Sequence, residues 1–585
     1  MNLSVIALDY DGTIARHDVL HPSVRDAIAR VRQRGITVLL VTGRILSELQ
    51  RVAGSLHFVD AVVAENGAVL HFPATGRTTQ LSPAIPERFI REVQRRGIPF
   101  QAGSCLVDAD AAEAPRLLDV IRTLELPLVL VFNGGRVMTL SQGVSKATGL
   151  RAALDTLRMS PRNALAIGDA ENDHELLRLA EVGVAVEWGS SALKSFADIV
   201  LPGSGPEAVA AFLEPLAATR QLPLPSRARR RLLMGHTDDG AEFSLGVRGR
   251  NVLVTGDARS GKSWVAGLLC EQLILHGYCI CAIDPEGDYS SLEALPGVAV
   301  LGRDDPPPPP HALVRALRYP DRSVIVDLSQ RPHDEKVPYV RALLEGLALL
   351  RRKTGLPHRI LIDEAHYYLN SPESVKLLDL DRNGYTVVTY RASLLPRGLT
   401  DSVEVVIVTC QTDPAEIAKL AEICDRCPSA DDEQWELVQR LKIGQAVALP
   451  IAEETGGVPR MFMIGPRITP HVRHREKYVD VPVSDERAFV FAPLDGGPYE
   501  RVQTLRQLVD QLESLPPARL EPYVLRGDFS RWIGDIFGDH ALAEELHRLE
   551  HRHRVHRSEE TLPEMASAIR ARYDLVPDEL EVRDR

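Results

Sequence analysis

The stretch that decides the fold is Val5-Ile6-Ala7-Leu8-Asp9-Tyr10-Asp11-Gly12-Thr13, four apolar residues running into two carboxylates and a glycine. A short, continuous apolar run bounded by turn residues reads as a strand buried on both faces. Its end sets Asp9 and Asp11 two positions apart, at the edge where open α/β sheets hold their ligands. A carboxylate that attacks phosphorus needs a neighbouring acid for the leaving oxygen and a metal to offset charge against the phosphate. Asp9 and Asp11 suit the nucleophile and the acid.

Outward from this strand the pattern repeats. Val38-Leu39-Leu40-Val41 runs into Thr42-Gly43-Arg44, which offers a hydroxyl and free backbone N–H groups to a phosphate oxygen. Ala61 to Ala64 precedes Glu65-Asn66-Gly67-Ala68, Lys146 follows, and Ala164 to Ile167 leads into Gly168-Asp169-Ala170-Glu171-Asn172-Asp173. Apolar runs alternating with helical patterns predict a parallel α/β sheet over residues 1–82 and 141–220. Between them, 83–140 reads as a helix, a strand near Leu106, a second helix, and two strands around Asn133-Gly134-Gly135. That hairpin signal predicts an inserted α+β cap.

The order, spacing and residue types of these motifs closely resemble the haloacid dehalogenase superfamily, in its large-capped, Cof-like branch. The resemblance implies a Rossmann-like core in which Asp9 forms an aspartyl-phosphate and Asp11 protonates the leaving group. It implies Mg²⁺ held by Asp9, the backbone carbonyl of Asp11 and Asp169, with Asp173 close by. Thr42 and Lys146 would hold the transferring phosphoryl group. A phosphorylated small molecule, a sugar phosphate or similar metabolite, is the implied substrate. Arg95, Arg96 and Arg136 are basic cap residues that solvation explains without a role.

A second α/β series begins near Asn251. Val252 to Thr255 is followed by Gly256-Asp257-Ala258-Arg259-Ser260-Gly261-Lys262-Ser263 and a helical pattern, which satisfies G-x-x-x-x-G-K-S in its strand-to-helix context. The glycines Gly256 and Gly261 free backbone N–H groups for ATP phosphates, Lys262 reaches the β and γ oxygens, and the Ser263 hydroxyl faces Mg²⁺. The strand Arg359 to Ile362 delivers Asp363-Glu364-Ala365-His366. Asp363 supports the magnesium and Glu364 orients a water, which favours a motor-type ATPase over a small-molecule kinase.

With Ile283-Asp284-Pro285-Glu286-Gly287-Asp288-Tyr289 and the strand Thr386 to Tyr390, this region resembles the HerA/FtsK group of ring-forming ATPases over 232–477. The resemblance implies a homo-oligomer, in the fullest case a hexameric ring. Two departures stand out: Tyr390 occupies a position where that group commonly has Gln, and the preceding β-barrel is reduced to a hairpin. Arg382, Arg391 and Arg397 are candidate trans-acting fingers, none assigned.

The totals bound what else the chain can be. A length of 585 residues predicts about four folding units. With 44% hydrophobic and 25% charged residues the chain is an ordinary globular protein, and a net charge of -12 argues against a coat of nucleic-acid-binding basic surface. No window approaches the roughly 20 apolar residues of a membrane span. No secretory signal is visible, so a cytoplasmic location is expected. Seven scattered cysteines make no disulfide framework.

Pro306 to Pro310 reads as a stiff surface loop, 221–231 as an Arg-rich linker, and 478–585 as a mainly helical C-terminal domain. Cys424-Asp425-Arg426-Cys427 has half the spacing of a zinc site without a second half, and His547, His551, His553 and His556 fit a solvated helix face. The leading expectation is a phosphomonoesterase fused to an ATP-hydrolysing domain. The alternatives are a nucleic-acid end-processing or translocating ATPase with an attached phosphatase, and a nucleotide-dependent scaffold.

Overall fold

A computed structural model describes residues 3–219, 230–246, 250–257, 260–303, 305–424, 432–450, 459–469, 483, 485–492, 499–537, 540–557 and 560–573. Most of the linker expected over 221–231, including Arg227 and Arg229, lies outside these residues, as does Cys427. The chain forms two compact units, 1–471 and 472–585.

The first sheet of unit 1 has eight strands. Their order is Ile199–Leu201, Val182–Val186, Ala164–Gly168, Val5–Leu8, Thr37–Val41, Ala61–Ala64, Val69–Phe72 and Arg77–Gln80. The first six pair in parallel and the last two antiparallel. Val5–Leu8 shows why the apolar run is unbroken. Ile6 and Leu8 face the core beneath helices Pro22–Gln33 and Pro206–Thr219, whereas Val5 and Ala7 face the core of helix Lys146–Leu157. Successive side chains point to opposite faces, and both faces are covered.

The strands after Val5–Leu8 wind to one side and those from Ala164 onward to the other. The reversal falls between Val5–Leu8 and Ala164–Gly168, and a sheet of this kind opens its crevice there, at the carboxyl ends.

Between Arg77–Gln80 and helix Lys146–Leu157 the chain builds a smaller antiparallel sheet. Its order is Leu128–Asn133, Arg136–Ser141, Leu106–Asp110 and Gln101–Ala102, and helices Glu87–Arg95 and Ala114–Thr123 pack on one face. Its other face carries Leu106, Met138 and Leu140, which meet Ile45 of the core sheet's loops.

The second sheet of unit 1 has eleven strands. Seven are parallel, in the order Val403–Val408, Asn251–Thr255, Tyr385–Thr389, Arg359–Ile362, Ile280–Asp284, Ser323–Asp327 and Val298–Gly302. Four antiparallel strands extend one edge, ending in the hairpin Leu232–His236 and Glu242–Leu245. The hairpin expected as a barrel remnant is thus an edge extension of the main sheet. Pro306 to Pro309 are irregular, and Pro310 opens helix Pro310–Ala316, where its missing N–H costs nothing.

The two sheets of unit 1 meet through the amino ends of their strands. Glu181, just before Val182–Val186, accepts a hydrogen bond from the Tyr278 hydroxyl at 2.8 Å and from Arg162 Nη1 at 3.2 Å, and pairs with Arg230 at 3.7 Å. Asn163 Nδ2 donates to the Gly355 carbonyl at 3.3 Å and Ser4 Oγ to that of Thr354 at 3.4 Å. Tyr278 precedes Ile280–Asp284 and Gly355 precedes Arg359–Ile362. The carboxyl ends of both sheets therefore open away from this seam.

Unit 2 is mostly helical, around a core of Phe489, Phe491, Phe529, Trp532 and their aliphatic neighbours. It also holds a ribbon of Phe489–Phe491 with Glu500–Val502, which the helical reading of 478–585 missed. Three residues per strand are too few for alternation to register. The histidines of helix His540–His556 join no metal-ligating group of three among the described residues.

Candidate functional site

Asp9 leaves its strand with its backbone N–H on the Ile167 carbonyl, which seats it beside the neighbouring strand end. The residue is 3% exposed. Lys146 Nζ donates to Asp9 Oδ1 at 2.6 Å and to Asp173 Oδ1 at 2.7 Å, and Thr13 Oγ1 bridges Asp9 Oδ2 at 3.3 Å and Asp169 Oδ1 at 3.1 Å. Asp173 is held further by the backbone N–H groups of Asp169 and Ala170, at 3.0 and 3.1 Å.

The glycines explain how these parts approach. Gly12 has φ +74°, and a Cβ there would lie 2.2 Å from Asp169 Oδ2. Gly67, with φ +107°, lies so close to the start of the next helix that a Cβ would meet the Ser145 carbonyl at 1.9 Å. A Cβ on Gly149, in that helix, would sit 2.5 Å from Gly67 Cα. Gly67 and Gly149 thus let helix Lys146–Leu157 settle against the sheet, and Ser145 fixes its first turn through a capping box with Thr148. Lys146, the first residue of that helix, is carried into the crevice.

Burial raises the Asp9 carboxyl well above its usual range; Lys146 opposes this, and Asp173 and Asp169 add to it. Burial also lifts Asp169 to about 6, with Asp173 adding and Lys146 opposing. Burial would lower Lys146, but the Asp173 and Asp9 carboxylates outweigh it and hold the ammonium above its usual value. Three carboxylates face one ammonium, and ligand oxygens of Asp9, Asp169 and Asp173 lie within 4.8 Å of one another. This excess of buried negative charge, built from hard oxygens, fits a magnesium ion.

Asp11 stands outside that trio. Arg44 grips its carboxylate with both arms, Nε and Nη2 each at 2.6 Å, and also pairs with Asp18 and, at 3.2 Å, with Glu48. Thr42, 1% exposed, accepts from the Arg44 backbone N–H at 3.1 Å. Arg44, Thr13 and Trp188, whose Nε1 donates to the Gly12 carbonyl at 2.6 Å, were not singled out by the sequence reading. Arg44 lies inside the Thr42-Gly43-Arg44 motif, so its position was visible but its partner was not.

The second site lies at the carboxyl ends of the larger sheet. Gly256 takes φ +151°, and a Cβ there would meet Thr409 Oγ1 at 2.0 Å; Gly261 takes φ +105°. Lys262 Nζ donates to the Asp257 carbonyl at 2.8 Å and stands over the Tyr390 ring at 5.9 Å. Ser263 Oγ donates to Asp288 Oδ2 at 2.7 Å. Asp363 is buried, and burial followed by Glu364 and Asp288 pushes its carboxyl up to about 8. Glu364 has φ +46°, a left-handed backbone uncommon outside glycine, and lies 3.6 Å from His366. A glycine loop with Lys262, a hydroxyl and nearby carboxylates suits a magnesium-bound nucleoside triphosphate.

The strand Tyr385–Thr389 runs between the Asn251–Thr255 strand and the Asp363 strand, and its last residue, Thr389, contacts His366 Nδ1 at 3.0 Å. Gln411, after the neighbouring strand, donates to the Asp257 carboxylate at 2.7 Å. Of the candidate fingers, Arg382 pairs with Asp379 at 3.0 Å, Arg397 with Asp401 at 3.8 Å, and Arg391 stands over Tyr390.

Residues 6–112 and 115–213 match the family model described as haloacid dehalogenase-like hydrolase. A phosphoglycolate phosphatase of Methanopyrus kandleri is 30% identical over 230 residues, covering 36% of this chain and 97% of the relative. The chain belongs to the haloacid dehalogenase-like hydrolases. A phosphoglycolate phosphatase of Archaeoglobus fulgidus is 28% identical over 226 residues, 37% of this chain and 97% of the relative. A haloacid dehalogenase-like hydrolase of B. subtilis of known structure is 19% identical and covers 37% of this chain and all of that chain, with a TM-score of 0.32. Beyond the hydrolase region, residues 245–442 match the model described as the central domain of helicase HerA. No helix among the described residues is long and apolar enough to cross a membrane, and none of the six described cysteines is in a disulfide.

Proposed function

We propose that the hydrolase region is a magnesium-dependent phosphomonoesterase working through an aspartyl-phosphate on Asp9, and that the HerA-like region binds and hydrolyses ATP. The observation that carries the first part is the buried Asp9, bonded to Lys146 at 2.6 Å with Asp169 and Asp173 beside it. A carboxylate oxygen of Asp9 attacks phosphorus, the bond from phosphorus to the leaving oxygen breaks, and Asp11 gives that oxygen its proton. Water then attacks the phosphorus of the acyl phosphate, Asp11 takes a proton from it, and inorganic phosphate leaves as the Asp9 carboxylate returns. Asp9, Asp169 and Asp173 would hold the magnesium, which when bound would supply positive charge to offset that of the attacking carboxylate and the phosphate. In the resting site the Asp173 and Asp9 carboxylates favour the protonated Lys146, and with Thr42 it would steady the phosphoryl group.

The cap face that carries Met138 against Gly43, and Leu106 and Leu140 beside Ile45, also carries Arg136, paired with Asp108 at 3.0 Å. The relatives' name, phosphoglycolate phosphatase, favours a small phosphomonoester carrying a carboxylate. Phosphate release by the full chain with magnesium tests this across phosphoglycolate and a set of sugar phosphates. The expected result is the highest kcat/KM for phosphoglycolate. Faster turnover of the sugar phosphates would overturn this substrate class.

The match to the HerA central domain favours a second reading for the other site, ATP-driven movement on nucleic acid by a homo-oligomeric ring. The seam through the amino ends of both sheets argues against a phosphatase working on a strand end held at the ATPase site. Stimulation of ATP turnover by DNA or RNA in a salt-sensitive manner supports translocation. A monomeric mass with and without ATP removes ring assembly.

A further inference from the structure

The segment Asp284-Pro285-Glu286-Gly287-Asp288-Tyr289 lies outside both the glycine loop and the Asp363-Glu364 pair. Asp284 ends its strand with its side chain fully buried. Its Oδ1 accepts the backbone N–H groups of Glu286, Gly287 and Asp288 at 3.3, 2.6 and 3.0 Å, and its Oδ2 accepts that of Tyr289 at 2.9 Å. One carboxylate thereby collects four consecutive donors, and Gly287 makes the turn with φ +79°. A loop tied this way has one conformation. That conformation carries the Asp288 carboxylate to the Ser263 hydroxyl at 2.7 Å, within electrostatic reach of Asp363.

A serine hydroxyl that ligates a cation must turn a lone pair toward it, and its hydrogen then needs an acceptor on the other side. Partners that orient a ligating group in this way commonly cost 10–100-fold in metal affinity when removed. We propose that Asp288 is a positioning residue for Ser263 at the nucleotide site: it holds the hydroxyl hydrogen so that the oxygen faces the magnesium of a bound MgATP, and Asp284 fixes it there. The inference rests on the reading of this region as an ATP site. It makes the coupling between magnesium and ATP a property of Asp288. In the absence of magnesium, the same carboxylate adds negative charge beside the phosphates and weakens binding of free ATP.

The test is equilibrium binding of a fluorescent ATP analogue to the full chain, in magnesium and in EDTA, for wild type, Asp288→Asn, Ser263→Ala and the double variant. Lys262→Ala serves as the binding-deficient control. Wild type should bind more tightly with magnesium. Asp288→Asn should lose about tenfold or more of that magnesium-dependent gain while binding free ATP as well as wild type or better. In the Ser263→Ala background, Asp288→Asn should remove little further gain, because the hydroxyl it orients is gone. Circular dichroism and an affinity for free ATP no weaker than that of wild type exclude misfolding as the cause. A magnesium gain in Asp288→Asn equal to wild type, or equal losses with and without Ser263, would overturn the positioning role while leaving the ATP site standing. Failure of wild type to bind the analogue under either condition would overturn the ATP site and this inference with it.

Discussion

Arg44 does more at the phosphatase site than its place in the motif announces, because its guanidinium fork occupies both oxygens of the side chain proposed to move the proton, and Asp11 must leave that grip to carry one. An acid matters most where the leaving oxygen is poor. Arg44→Ala, which removes the grip, should therefore change the rate on alkyl phosphates by up to roughly 10²-fold, within the span of general acid catalysis, and on p-nitrophenyl phosphate far less. Equal changes on both would count against a role through Asp11. A second residue-scale expectation concerns Asp169, whose carboxyl is raised to about 6 in the folded, metal-free chain. A carboxyl raised on folding binds more protons folded than unfolded, so it costs stability progressively as pH rises from about 4 through 6. Metal-free Asp169→Asn should accordingly melt a few degrees above metal-free wild type at pH 7.5, with the difference shrinking toward pH 5, and should gain less from added magnesium. A difference that grows on acidification would contradict the assignment. At this scale the sequence marked Asp9, Asp11, Thr42 and Asp363 because each follows an apolar strand, Lys262 through its glycine loop, and Lys146 through the family resemblance. It could not expose the pairing of Arg44 with Asp11 or of Asp288 with Ser263, since 33 and 25 positions separate the partners and only the fold closes those distances.

At the scale of elements, the placement of Lys146 depends on two backbones touching. Gly149→Ala would set a methyl 2.5 Å from both Gly67 Cα and Val63 Cγ1, so the helix must shift away from the sheet and take Lys146 with it. Overpacking of this kind costs about 1–3 kcal/mol. The variant should stay folded with a lower melting temperature, and lose phosphatase kcat while retaining ATP binding; full phosphatase activity would show that the contact does not set the lysine. The apolar runs that predicted both parallel sheets were legible because each strand is covered on two faces. The ribbon Phe489–Phe491 with Glu500–Val502 was not, since strands this short leave no period to read.

At the scale of the molecule, the hydrolase and HerA-like regions share one compact unit whose seam is organised by Glu181, 5% exposed, with Tyr278, Arg162 and Arg230 around it. Removing one partner from a buried charged network costs about 3–5 kcal/mol, because the others are left unpaired. In calorimetry of the full chain, Glu181→Ala should split or lower the unfolding of unit 1, while both sites keep their function at temperatures where the protein is folded. No change in the unfolding profile would remove the seam from the account. The linker's composition announced a junction near 221–231; it carried no sign that Glu181, 40 or more residues earlier in the chain, would clasp Tyr278 beyond it.

The hydrolase and HerA-like regions hold two chemically separate centres that open away from a common seam. The most direct measurement assays phosphate release from a phosphomonoester and from ATP on the same preparations of wild type, Asp9→Asn and Lys262→Ala, each in magnesium. Asp9→Asn should abolish the first and spare the second, and Lys262→Ala should do the reverse. Full phosphomonoesterase activity in Asp9→Asn, or loss of both activities in either variant while the chain stays folded, would contradict it.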